Sequence, residues 1–280
     1  MDPLQFACSA SSSRQLFVNG LSLHALEWPR PGAPGLCFLH GGSAHSHWFD
    51  RVIGPFLGRY HVISLDQRGH GASEWPTPPA YATEDFVSDL LGVMDALGWG
   101  RMTVVGHSMG GANAMAVSAW HPERVDRLVI VDARPSIPVE RLGVMHERGA
   151  RALRKPRRHP TPEAAVASFR LLPRETVADP ALLAHVARAG IVERDGGWRY
   201  AFDPAANGSR RPHDMWPHLP KITAPTLLVR AGLSPVLTPE MAAAMRKAIP
   251  DARFVEVPGA YHHVTLDQPE GFVAAVSGFL

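Results

Sequence analysis

The stretch Val104 to Ala114, VVGHSMGGANA, limits what this chain can become more than any other. Gly106, Ser108 and Gly110 fit the spacing G-x-S-x-G. An apolar run, Met102–Val105, precedes it, and a helical pattern of small residues, Ala112–Trp120, follows. A turn this tight from strand to helix forces its central residue into a strained backbone conformation. Glycines two places to either side keep Cβ atoms out of the crowded corner. Ser108 is pushed out at the C-terminal end of the strand, beside a helix N-terminus whose dipole favours an incoming oxyanion.

The rest of the chain supplies a sheet to carry such a turn. Near-continuous hydrophobic runs at Leu36–Leu39, His61–Leu65, Met102–Val105, Arg127–Val131 and Thr226–Val229 suit strands buried on both faces. Asn19-Gly20, between Gln15–Val18 and Leu21–Trp28, predicts a tight hairpin. Thr83–Leu97 carries an apolar stripe at helical spacing and stops at Gly98. Pro239–Ala248 and a stretch around Glu270–Leu280 read as helices, with the strand Arg253–Val257 between them. From Arg134 to Pro220 the texture changes to Pro, Arg, Ala and aromatic residues, with helical patches at Pro162–Leu172 and Ala181–Ala189. The expected fold class is α/β: a doubly wound, mostly parallel sheet with an inserted helical cap. The expected boundaries are a disordered tail over 1–13, a core over 14–134 and 221–280, and the cap over 135–220.

Composition excludes several alternatives. The 280 residues are 45% hydrophobic, and no apolar run approaches the ~18 that a membrane helix needs. The N-terminal MDPLQFACSASSSR lacks both the basic start and the apolar stretch of a secretory signal, so cytoplasmic residence is expected. A disulfide between Cys8 and Cys37 is not expected, and their pattern offers no metal site. A net charge of +2 is too small to point to nucleic acid. The charge is uneven, with 14 of the 28 Lys and Arg but 9 of the 26 acids falling between 135 and 220. The basic cluster RALRKPRRHP, 151–160, reads first as a solvated helix end.

Two further motifs join the elbow. In CFLHGGSAHSHW a strand ends at His40-Gly41-Gly42, where glycine N–H groups can face a developing oxyanion. The N–H groups of Gly42 and of Met109 are the expected pair. In VPGAYHHVTLDQPE a strand ends in a glycine turn and then His262-His263, at the sheet edge where ligands bind in doubly wound folds. A serine hydroxyl needs such a base, and either histidine could serve.

In this order, HGG at 40–42, DQRGHGAS at 66–73, GHSMGG at 106–111 and GAYHHV at 259–264 resemble the α/β-hydrolases over about 14–280. The likeness is to the lidded, epoxide-hydrolase-like branch that includes esterases and lactonases, with serine at the elbow. It implies Ser108 as nucleophile and His262 as base, because the family's P-G-A-G-H places its histidine there. It gives 66–73 a structural role. It also implies an orienting acid, whose usual place is the turn after Thr226–Val229. That turn reads RAGLSPVLTPE, and Pro235 stands where an acid would be sought. Haloalkane dehalogenases and zearalenone-type lactonases resemble an alternative, with the acid ending the strand after the nucleophile helix. Here that residue is Asp132. Asp203, Asp214, or a dyad helped by Ser234 or water are the other possibilities.

Cap and loop aromatics suggest an apolar pocket, with Trp48, His107, Trp198 and Trp216 as candidate walls. The expected activity is cleavage of a small apolar or aromatic carboxylic ester or lactone through an acyl-enzyme. No metal or organic cofactor is expected, no nucleic-acid or membrane partner, and a monomer or homodimer. Two alternatives share the framework: a C–C bond hydrolase of ring-cleavage products, and a catalytically weak ligand-binding protein.

Overall fold

The computed structural model describes residues 11–280. Eight strands form one sheet: β1 (Ser12–Val18), β2 (Leu21–Trp28), β3 (Gly35–Leu39), β4 (His61–Leu65), β5 (Met102–His107), β6 (Val125–Val131), β9 (Thr226–Ala231) and β10 (Ala252–Val257). Their order is β1-β2-β4-β3-β5-β6-β9-β10. β1 and β2 are antiparallel, as are β2 and β4, and every later pairing is parallel. The central strands β3, β5 and β9 are buried along their whole length. The edge strands β1 and β10 are mostly open to solvent.

The Asn19-Gly20 hairpin forms with both residues at positive φ, 51° and 77°. Most of the tail expected over 1–13 lies outside the described residues, but Ser12 and Ser13 pair with Glu27 and Leu26 in β1. Cys8 is also outside them, and Cys37 is buried in β3.

Helices cover both faces of the sheet. α1 (Thr83–Ala96) ends at Gly98, φ 70°. α2 (Met109–Trp120) begins directly after Ser108, three residues earlier than the sequence suggests. Gly110 and Gly111 do not delay it, because both are needed for close approach. A Cβ on Gly110 would lie 2.2 Å from the Leu39 carbonyl oxygen, and one on Gly111 2.5 Å from the Ala133 Cβ. The packing of this helix against the sheet therefore selects for glycine over helix propensity.

The segment between β6 and β9 contains α3 (Val139–Arg154), α4 (Pro162–Ala167), α5 (Pro180–Ala189), β7 (Ile191–Arg194), β8 (Gly197–Tyr200) and α6 (Ala205–Gly208). The β7–β8 hairpin is absent from the sequence reading. Its signal is Asp195-Gly196, both at positive φ (54° and 75°), a primed turn masked by the basic and aromatic residues around it. α4 stops at Ala167, five residues short of the expected Leu172; the Ser168 hydroxyl turns back to the Ala165 carbonyl. The basic stretch at the end of α3 is exposed, as a solvated helix end should be.

One seam joins this segment to the loops after β4. Gly71 donates to the Ala201 carbonyl and Asp203 to the Gly69 carbonyl, each at 2.7 Å. Tyr81 donates to the Asp203 carboxylate at 2.6 Å. Arg194 and Arg199 lie over the Trp75 ring at 4.5 and 4.6 Å. Beyond the cap, α7 (Pro239–Ala248) is capped by the Thr238 hydroxyl, and α8 (Val264–Asp267) and α9 (Pro269–Ser277) close the chain. Among the described residues no helix is long and apolar enough to cross a membrane.

Candidate active site

Ser108 sits between β5 and α2 with φ 53° and ψ −113°. A non-glycine residue held there costs about 1–3 kcal/mol, so the surroundings must over-determine it. They do so through backbone contacts. Ser108 N–H donates to the Val131 carbonyl at 3.0 Å, and Gly110 N–H to the His40 carbonyl at 3.1 Å. A Cβ on Gly106 would meet the Gly110 carbonyl oxygen at 2.3 Å, so the corner closes only on glycine.

His262 stands over the serine. Its Nε2 is 3.0 Å from Ser108 Oγ, and its Nδ1 is 2.7 Å from Asp132 Oδ2. A carboxylate only accepts, so Nδ1 carries the proton and the Nε2 lone pair faces the serine hydroxyl. Asp132 ends β6 at positive φ, 43°, and is fully buried. Its N–H donates to the Val229 carbonyl at 2.8 Å. Its Oδ1 accepts from Ala231 N–H at 3.1 Å, and its Oδ2 also accepts from the Ser234 hydroxyl at 2.5 Å. Ser234 in turn accepts from Val236 N–H at 3.0 Å. The turn RAGLSPVLTPE therefore meets the histidine indirectly. It supplies a hydroxyl and an N–H that anchor the carboxylate arriving from the neighbouring strand.

The other acids are engaged elsewhere. Asp203 accepts from Tyr81 and from Ala205 N–H at 2.9 Å. Asp214 accepts from Trp216 N–H at 3.1 Å in an exposed turn. His263 points away from Ser108; its Nε2 donates to the Pro173 carbonyl in the cap at 3.3 Å, and its ring meets Trp48 at 6.1 Å.

Gly42 and Met109 are neighbours across the mouth of the site. A Cβ on Gly42 would touch Met109 Sδ at 4.0 Å, and one on adjacent Gly41 would lie 3.3 Å from Ser108 Cβ. Met109 is the first residue of α2, where the helix offers its N–H no acceptor. His40 secures this loop to the elbow. Its carbonyl accepts from Gly110 N–H and from the Gln67 side chain, while its Nε2 accepts from Gln67 N–H at 3.0 Å.

Of the candidate wall residues, Trp48 is buried, with its ring 6.2 Å from Phe169 and 6.1 Å from His263. His107 is a brace. Its Nε2 donates to the His262 carbonyl at 2.9 Å, and its ring lies 4.8 Å from the His262 ring. It is buried because, as the last residue of β5, it turns inward when Ser108 turns out. Trp216 packs against the core cluster with Met115 and Leu219 on the α2 side of the sheet. Trp198 lies in the β7–β8 hairpin, its backbone paired with His159. The sequence reading named Ser234 only as the helper of a dyad and did not find Ala231, since nothing in a linear pattern marks a hydroxyl or an N–H as the anchor of an acid on another strand.

Burial pushes the histidines around this site down: His40 and His263 to about 3, His45 and His70 to about 4, and His107 well below its usual value. The unfolded chain takes up these protons near pH 6.5, whereas in the folded chain His40, His45, His70 and His263 take them up only near 3–4, and His107 well below its usual value. Below about pH 6.5 the unfolded state thus binds more protons, and stability falls by up to about 1.4 kcal/mol per pH unit for each ring. The melting temperature is expected to drop steeply between pH 7 and pH 5 in scanning calorimetry. A flat profile there would show that the rings protonate in place.

A family model described as the alpha/beta hydrolase fold matches residues 34–147. Esterase Rv0045c of Mycobacterium tuberculosis is 30% identical, over 99% of this chain and 95% of its own. The chain belongs to the α/β-hydrolases. This α/β-hydrolase is also 28% identical to the 2-(acetamidomethylene)succinate hydrolase of Mesorhizobium japonicum, over 96% of this chain and 95% of the relative. Among solved structures, the enol-lactonase of Burkholderia xenovorans LB400 matches the α/β-hydrolase with a TM-score of 0.79 and 26% identity, over 95% of this chain and 99% of that one. The enzyme stands among esterases and lactonases of the family, and hydrolysis is its reaction class.

Proposed function

We propose that this α/β-hydrolase cleaves a small carboxylic ester or lactone through an acyl-enzyme formed on Ser108. The observation that carries the proposal is the single line of hydrogen bonds from Asp132 Oδ2 through His262 to Ser108 Oγ, at 2.7 and 3.0 Å. Ser108 Oγ attacks the substrate carbonyl carbon while its proton passes to His262 Nε2. The carbonyl oxygen becomes an oxyanion facing the N–H groups of Gly42 and Met109. The intermediate collapses, and His262 gives its proton to the departing alkoxide oxygen. For a lactone that oxygen stays tethered in the acyl group. Water then attacks the acyl carbon, losing a proton to His262; the second intermediate collapses, His262 returns that proton to Ser108 Oγ, and the carboxylic acid leaves. Asp132 stays ionised throughout, holding the Nδ1–H tautomer and stabilising the imidazolium.

The names of the esterase and enol-lactonase relatives support an ester or lactone as the scissile group. Trp48 packs in one apolar cluster with Leu171 and the partly buried Phe169, and Trp48 also meets His263, the neighbour of His262, which supports an apolar acyl or alcohol portion. A fluorophosphonate probe should add to Ser108 and to no other serine, read by mass spectrometry of the digested protein. A p-nitrophenyl ester should show a burst equal to the enzyme concentration. An unmodified Ser108 would sink the acyl-enzyme reading.

A further inference from the structure

The loop after β3 meets α5 at a second cluster, which the proposed hydrolysis does not use. Asp50 follows the one-turn 3-10 helix Ser46–Phe49. Its Oδ2 lies 2.8 Å from His47 Nδ1, three residues earlier in the chain, and 2.7 Å from His185 Nε2 on α5 of the cap. These three atoms lie within 4.8 Å of one another. The Asp50 side chain is fully buried, while those of His47 and His185 are 29% and 31% exposed. One buried charge thus sits at the base of a notch whose two sides are imidazoles from different parts of the fold.

We propose that His47, Asp50 and His185 form a binding site for a divalent transition metal of the zinc class, which clasps the cap to the core. Two imidazole nitrogens and one carboxylate oxygen are the donor set that zinc prefers, whereas magnesium and calcium prefer oxygen alone. A tetrahedral ion about 2.0–2.1 Å from each donor separates the donors by roughly 3.3 Å. The two carboxylate–imidazole spacings must therefore widen by about half an ångström and the imidazole nitrogens, which lie within 4.8 Å, must close by as much as about 1.5 Å, both through rotation of the two partly exposed rings. Each imidazole offers its lone pair once its proton has moved to the other ring nitrogen or left for solvent. Water completes the coordination on the open side. The ion replaces hydrogen bonds that share one oxygen with bonds to a common centre.

The site bears on the serine site by position alone. His47 is followed by Trp48, whose ring packs on His263 and on Phe169 of the cap. Joining His185 to this turn holds α5 against it, so occupancy is expected to stabilise the closed cap.

Zinc chloride titrated into the chelator-treated full chain should give saturable one-to-one binding by calorimetry and raise the melting temperature, and excess magnesium should not compete. His185→Gln keeps an N–H to donate to Asp50 while removing the ligand, and is expected to weaken zinc binding at least about tenfold. His47→Gln should act likewise, and His213→Gln, elsewhere on the surface, should bind as the unaltered chain does. The proposal is overturned if the unaltered chain shows no saturable site, if magnesium competes equally, or if His185→Gln and His47→Gln both bind zinc as tightly as the parent. These readouts are independent of hydrolysis, so they stand whether or not Ser108 forms an acyl-enzyme.

Discussion

Asp132→Asn is expected to lower kcat on a p-nitrophenyl ester by about ten-thousand-fold while the protein stays folded, the magnitude seen when a triad aspartate loses its charge. The physical reason is the tautomer. Asp132 Oδ2 accepts the Nδ1 proton of His262 at 2.7 Å, which leaves Nε2 bare toward Ser108. An asparagine amide at that place can turn an N–H toward the ring, drive its proton to Nε2 and so remove the base. It also withdraws the negative charge that stabilises the imidazolium. Ser234→Ala provides the contrast. It removes one of the donors that hold the carboxylate but leaves Ala231 N–H and the charge, so its loss should be far smaller and should fall on kcat more than on KM. If Asp132→Asn loses less than about tenfold in steady-state kinetics, with circular dichroism unchanged, the acid is another group.

Ser108→Ala is expected to remove about a million-fold of kcat, the scale of loss when a serine nucleophile is deleted, and to abolish labelling by fluorophosphonate. Alanine keeps the Cβ and therefore the elbow's geometry at φ 53°. The backbone bonds from Ser108 N–H to Val131 and from Gly110 N–H to His40 are untouched. The melting temperature should accordingly move little, and binding of a slow ester should persist. A Ser108→Ala variant that still turns over with burst kinetics would place the nucleophile elsewhere. Combining it with Asp132→Asn should cost little more than Ser108→Ala alone, because residues of one relay act as a unit.

Much of this molecule is legible in linear order. The elbow can be read because its requirements are local: glycine at 106 and 110, an apolar strand before and small residues after. A Cβ at either glycine would strike backbone at 2.2–2.3 Å, so no other side chain fits. The parallel sheet can be read because strands buried on both faces are apolar along their length. The Asn19-Gly20 hairpin can be read because few other pairs accept positive φ at two successive residues. The same rule applies to Asp195-Gly196, yet its strands Ile191–Arg194 and Gly197–Tyr200 are only four residues each, the first largely exposed and the second mostly half-buried, so no hydrophobic pattern flagged them.

The tertiary structure alone decided how the turn RAGLSPVLTPE relates to the histidine. Strand order places β6 between β5 and β9, so the end of β6 lies beside both the elbow and that turn. Asp132 can then reach His262, while Ser234 and Ala231 reach back to Asp132. No periodicity in sequence encodes such a meeting of three loops, because each hydrogen bond depends on which strand ends are neighbours. The same holds for His47, Asp50 and His185. Two of them are three residues apart, and the third arrives from a cap helix that only folding brings within 2.7 Å. Residue type and local spacing determined the sheet, the elbow and the candidate nucleophile. Contact between distant segments decided which carboxylate meets His262, because a buried carboxylate is held by whichever donors the packing of separate strands delivers to it.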